Sequence, residues 1–227
     1  MVGVRLAQQN FEETIHLEPD SSVGYALAAL AYLQYASQIA DKDVPFQLDR
    51  AAELAEQALQ LKDDTGLADL VLANIFLRQN KHDEALAAAE RTVLARPSCD
   101  AAFTAKAEVL NYLGRPAEAI SLAQFAMRLA PVYPSYYPAV LSAAYYGCSR
   151  FEEALDAAKI SFEADPNNLD ALLLIVAANG ALGRPEQAQE VARKILILKP
   201  DFTIEMFTTN HPYKDGSRLK NMISQLQ

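Results

Sequence analysis

Residues 100–131 read DAAFTAKAEVLNYLGRPAEAISLAQFAMRLAP, and this stretch decides the fold. Residues 100–113 carry apolar side chains at helical spacing. Gly114 then suits the left-handed position that ends a helix, and Pro116 suits the first turn of the next one. A second apolar run continues to Pro131, where the helix must stop because proline offers no N–H to the preceding turn. The stretch therefore predicts two helices joined by a tight turn.

The same punctuation recurs along the chain. Pro97, Pro131, Pro166 and Pro200 are separated by 34, 35 and 34 residues. Asp63 holds the corresponding place 34 residues before Pro97, and Pro19 lies a further 44 residues back, so that unit carries about ten extra residues. Twelve residues before each mark stands an alanine: Ala7, Ala51, Ala85, Ala119, Ala154 and Ala188. Residues 67–79, 135–147 and 168–182 repeat the helical spacing of 100–113, and turns RQNKHDEA, YGCSRFEEA and ALGRPEQA follow them. No alternating strand pattern of any length occurs. The class is all-α.

Period and residues together resemble the tetratricopeptide repeat (TPR). Its pattern of a large residue, a small residue four later and an aromatic three after that is matched by Tyr25, Ala29 and Tyr32. Ala73 and Phe76, then Phe103 and Ala107, match parts of it, with the second-helix alanines and the proline marks in phase. The resemblance implies an α-solenoid, a right-handed superhelix of about five hairpins whose first helices line a concave surface. The expected units are 20–63, 64–97, 98–131, 132–166 and 167–200. Residues 1–19 hold only second-helix positions, an orphan half-repeat, and 201–227 form a C-terminal capping segment. Aromatic positions such as Phe11, Tyr32, Phe76 and Phe151 are core by default, because each hairpin must bury the face its neighbour leaves open.

Three places break the pattern. The first is the insertion around 37–47, read as a longer first helix or as a loop carrying Val44, Pro45 and Phe46. The second is the orphan helix, whose apolar face (Val4, Leu6, Ala7, Phe11, Ile15) has no preceding partner; either it caps the stack alone, or further chain upstream or self-association covers it. The third is the tail DFTIEMFTTNHPYKDGSRLKNMISQLQ, in which 202–209 suggest a short helix and Leu219, Met222, Ile223 and Leu226 one face of a last helix docked over the final repeat. Asp215 or Ser217 suits its cap. This tail resembles those of repeat regions attached to bacterial class III adenylate/guanylate cyclases. That resemblance implies a catalytic domain upstream and a regulatory role here.

Composition narrows the function. The 227 residues carry a formal net charge of −9, which disfavours a general nucleic-acid binder. No run long enough to span a membrane and no basic start followed by an apolar block is present. Two cysteines, Cys99 and Cys148, fit a reducing, cytoplasmic setting rather than a disulfide framework. His16, His82 and His211 lack metal-ligand spacing, and no phosphate-loop, dinucleotide or nucleophile-elbow string occurs. The sequence thus predicts no catalysis in this chain, no cofactor and no metal.

What remains is binding of a protein or peptide on the inner face. The repeat phase places Leu30, Leu33, Asn74, Leu77, Arg78, Glu108, Asn111, Tyr112, Tyr136 and Tyr146 there, with Ala139, Ala143 and Leu173 among them. The lining is apolar and tyrosine-rich, suited to a helix or an extended hydrophobic segment. Asn74, Arg78 and Asn111 could serve the carboxylate clamp of some repeat domains, but Glu108 opposes an acidic peptide.

Overall fold

A computed structural model describes residues 2–38, 43–205, 213–214, 220 and 223–224. Among these are eleven helices and no strand. They are α1 (Val2–Leu17), α2 (Ser22–Gln38), α3 (Val44–Gln60), α4 (Leu67–Arg78), α5 (His82–Ala95), α6 (Asp100–Tyr112), α7 (Pro116–Leu129), α8 (Tyr136–Gly147), α9 (Phe151–Ala164), α10 (Leu169–Ala181) and α11 (Pro185–Leu198). The expected all-α class of stacked hairpins holds, and α4, α6, α8 and α10 lie within one residue of their predicted spans. Contacts divide the chain at a repeat boundary into two compact units, residues 1–97 and 98–227.

In the first unit α1 packs on α2, α2 on α3, and α4 on α2, α3 and α5. In the second, α6 pairs with α7, α8 with α9 and α10 with α11, while α8 also packs on α6, α7 and α10. The phased alanines explain the close approach. Ala51, Ala85, Ala119 and Ala154 are wholly buried, and Ala188 nearly so. With only a methyl group at each contact, the backbones can approach closely.

The turns inside the last four hairpins share one geometry. Asn80, Gly114, Ser149 and Gly183 occupy the same phase and all have left-handed backbone, with φ of 58°, 84°, 59° and 69°. The N–H groups of the following residues, Lys81, Arg115, Arg150 and Arg184, donate to the carbonyls of Phe76, Leu110, Tyr145 and Asn179, five residues back. This pattern satisfies helix-end carbonyls and sets the entry of the second helix. Between hairpins, Asp63 does different work from the prolines at the other marks. Its carboxylate accepts from the Thr65 N–H at 3.0 Å, the Thr65 hydroxyl at 2.6 Å and the Ala68 N–H at 3.1 Å, and so caps the start of α4.

The insertion lengthens both helices of its hairpin. α2 runs on to Gln38 and has 17 residues, where α4, α6, α8 and α10 have 12 or 13, as the reading of a longer first helix expected. Residues 44–46 form no loop, because α3 begins early, at Val44, with Pro45 in its first turn. Proline is tolerated there because first-turn N–H groups have no intrahelical acceptor. Phe46 remains 64% exposed. The orphan helix is partly covered. Arg5 Nε donates to the Tyr35 hydroxyl, Tyr32 donates to Glu12, and Gln8 bonds Gln47. Phe11 and Ile15 are half-buried, while Leu6 and Leu17 stay exposed. Of the expected tail helix, Asp215, Ser217, Leu219, Met222 and Leu226 lie outside the described residues, as do 206–209 of the short helix before it.

Candidate binding recess

The second unit carries a shallow recess of about 80 Å³, open to solvent on one side. It is walled by first helices only: Glu108, Asn111 and Tyr112 from α6, Tyr136, Ala139, Val140 and Ala143 from α8, and Asp170, Leu173 and Leu174 from α10. Tyr213 from the tail completes it. The alanines of α8 sit one helical turn apart and form a low floor, because their side chains end at Cβ. Tyrosines and leucines on either side stand above it.

The α6 and α8 walls are fixed by contacts behind them. Asn111 is buried, and its Nδ2 donates to the Val140 carbonyl at 2.9 Å, tying α6 to α8. Tyr137, also buried, donates to Asp100 Oδ2 at 2.9 Å and meets the Tyr136 ring edge-on at 4.7 Å. Ser142 donates to the Ala154 carbonyl at 2.7 Å on the opposite side of α8. The Tyr136 ring is therefore held from below while 43% of the residue remains exposed. Such an anchored aromatic presents a large apolar face at small entropic cost to a ligand.

The electrostatics are negative. Among the residues lining the recess there is no lysine or arginine, while Glu108 and Asp170 stand on two different helices. Desolvation pushes the Tyr136 phenol up to about 12, and the charges of Glu108 and Asp100 add to the shift. Desolvation also raises Tyr137, and it takes Tyr146 up to about 12. These hydroxyls are neutral donors at physiological pH.

The ten residues placed on the inner face by phase have different fates. Glu108, Asn111, Tyr112 and Tyr136 come together in the recess. Tyr146 lies outside it and packs edge-on against Phe151 at 5.3 Å, across the turn of its own hairpin. In the first unit Leu33 and Leu77 are buried, 7% and 4% exposed, so they serve the core and offer no surface to a partner. Leu30 is half-buried, Asn74 turns its amide back to the Leu70 carbonyl at 3.0 Å, and Arg78 is exposed. A carboxylate clamp built from Asn74 and Asn111 is not supported, since both amides donate to backbone carbonyls.

Phase reasoning passed over Val140, Asp170, Leu174 and Tyr213. Asp170 precedes the turn residue Gly183 by 13 positions, as Tyr136 precedes Ser149, so the repeat register alone could have found it. Leu174 and Val140 share a register in the same way. Nothing in the sequence pattern marks Tyr213, which arrives by a tertiary contact. No group of three His, Cys, Asp or Glu residues that could hold a metal occurs among the described residues. Both cysteines are free, and no helix among the described residues is long and apolar enough to cross a membrane.

Comparison with known proteins supports the repeat type. A family model described as tetratricopeptide repeat matches residues 47–92 and 70–134. YrrB, described as a TPR protein with an unusual peptide-binding site, is 20% identical with a TM-score of 0.53, over 89% of this chain and 98% of that one. PilF of Pseudomonas aeruginosa is 15% identical with a TM-score of 0.62, over 88% of this chain and 86% of that one. A chain of the APC/C hetero-tetramer Cut9–Hcn1 is 15% identical with a TM-score of 0.76, over 93% of this chain and 40% of that one. No curated protein matches the sequence. At these identities the likeness establishes the fold: helix hairpins of the tetratricopeptide type.

Proposed function

We propose that this chain is a non-catalytic interaction scaffold, and that the recess between α6, α8 and α10 receives a segment of a protein partner. The observation that carries the proposal is the recess itself: an alanine floor between anchored tyrosines, with carboxylates on two walls. The peptide-binding site in the description of YrrB is consistent with a fold that offers such a surface. The chain would act in the cytoplasm, in keeping with its two free cysteines.

The test is substitution. Tyr112 and Tyr136 are replaced together by alanine, and Tyr146 by alanine separately, and partners are recovered from a lysate by crosslinking to the unaltered chain. Loss of the partner with the Tyr112/Tyr136 pair, at unchanged helicity, is expected. Full retention of the partner by a folded double variant would sink the recess assignment.

A second reading has its own observation. Leu6 of α1 is 54% exposed and Phe11 and Ile15 are half-buried, as on a second helix whose first helix comes from elsewhere. That helix would be supplied by a second copy or by an upstream segment of a longer signalling enzyme, such as the cyclases whose tails this one resembles. Light scattering tests the first source: a monomer mass at high concentration counts against self-association. An immunoblot of the source organism tests the second, since a band near the 24.9 kDa of this chain would contradict a larger parent.

A further inference from the structure

The tail returns to the recess. Tyr213 meets the Tyr112 ring edge-on, with centroids 4.9 Å apart, and the Lys214 N–H donates to the Tyr112 carbonyl at 2.9 Å. These are two different kinds of contact on one residue at the end of α6. The backbone bond has a structural reason. A helix leaves its last four carbonyls without intrahelical donors. The turn after α6 takes up Leu110 and Asn111, through the N–H groups of Arg115 and Gly114, and Lys214 reaches the carbonyl of Tyr112. The helix end thus offers a main-chain acceptor to an incoming segment, beside an aromatic wall.

Charge fits the same segment. The recess has two carboxylates on its walls and no lysine or arginine among its lining residues; Tyr213 lines it, and Lys214, next in the chain, is exposed beside it. From the last residue of α11, Leu198, the chain has 15 residues in which to reach Tyr213.

We propose that the recess recognises a segment with an aromatic residue followed by a cation, and that the chain's own Tyr213-Lys214 is its resident occupant, which a partner segment of the same chemistry must displace. The inference rests on the reading of the recess as a peptide site and names what that site takes. The tail is a tethered competitor. Attachment to the same chain sustains an effective concentration on the order of millimolar, enough to mask a micromolar site substantially.

The experiment uses the whole chain and one probe, a fluorescein-labelled peptide of residues 209–216, TNHPYKDG. Anisotropy titrations compare the unaltered chain, Tyr213→Ala, and Tyr213→Ala combined with Ala143→Phe, which fills the floor. Circular dichroism checks that each variant is folded. Removing the resident ring should tighten peptide binding at least tenfold, and filling the floor should abolish the gain. A probe with glutamate in place of the lysine should bind at least tenfold more weakly to Tyr213→Ala. Equal affinity for the unaltered chain and Tyr213→Ala, indifference to Ala143→Phe, or no binding to any chain overturns the inference. None of these outcomes decides the recess reading, which stands or falls on the Tyr112/Tyr136 variant and the captured partner.

Discussion

Matching positions of the repeat do opposite work in the two units. Leu77 and Asn111 share one register, three residues before the turn, and both are buried. Leu77 completes an apolar core, whereas Asn111 spends its amide on the Val140 carbonyl and holds two helices at the edge of a recess. One register on, Arg78 is exposed in the first unit, while Tyr112 stands half-buried as a wall in the second. Four residues earlier, Asn74 bonds back to its own helix, and its counterpart Ala143 recedes to make the floor. The backbone geometry repeats, so side-chain size decides where the molecule opens. A recess forms where alanine falls between tyrosines.

The largest effect that sharpens this contrast is on stability. Leu77→Ala should cost about 2–4 kcal/mol by leaving a cavity in the first unit, read as a shift in urea midpoint. Tyr112→Ala should cost well under half of that, because its ring is only half-buried; equal losses would break the distinction between core and wall. Next comes binding. The Tyr112/Tyr136 alanine pair should weaken the captured partner about 100-fold or more, as aromatic anchors at interface centres do. Alanine at Asn74 and Arg78 should change the affinity less than about threefold, consistent with rim positions. Comparable losses from the two pairs would place the contact surface in both units.

Smaller effects test the supports. Asn111→Ala should destabilise the chain by about 1–2 kcal/mol, the usual cost of losing a buried hydrogen bond and its partner. Ser149 adopts left-handed backbone at a turn where Gly114 and Gly183 stand in other hairpins. Ser149→Gly should therefore stabilise by roughly 0.5–1 kcal/mol, seen as a raised melting temperature. The smallest signal is in pH. Burial raises Tyr136 and Tyr146 to about 12 in the folded chain. Their contribution is present in full below the unfolded value near pH 10 and is lost as pH rises through about 12. Absorbance of phenolate near 295 nm should show these two groups titrating after the exposed tyrosines; in the Tyr136→Phe variant one late step should vanish.

The fold was legible because it is periodic. Proline marks, glycine turns and phased alanines each constrain the backbone locally, and repetition five times over removes chance. The insertion was legible in part: the apolar run signals a longer α2, but no periodic mark says how the extra residues divide between α2 and α3. Gln47, in the added turn of α3, bonds Gln8 of α1. The recess was half legible. Register identifies the face a residue lies on but not how deep its neighbours sit, so Leu33 and Leu77 look like Tyr112 on paper. Tyr146 follows the same register as Asn111 yet turns to Phe151, because an aromatic partner lies across its own turn. Tyr213 is beyond any periodic reading, since it belongs to the stretch where the period has ended.

The central claim is that a partner sits in the second unit's recess, and site-specific photo-crosslinking tests it most directly. A photoreactive phenylalanine analogue is placed in the whole chain at Ala143, on the floor, at Tyr136, on the wall, and at Asn74, the matching face of the first unit. Each chain is irradiated with the captured partner. The account predicts covalent capture from Tyr136, loss of binding with the bulky analogue at Ala143, and no crosslink from Asn74. Capture from Asn74 with an undisturbed complex at Ala143 would contradict it.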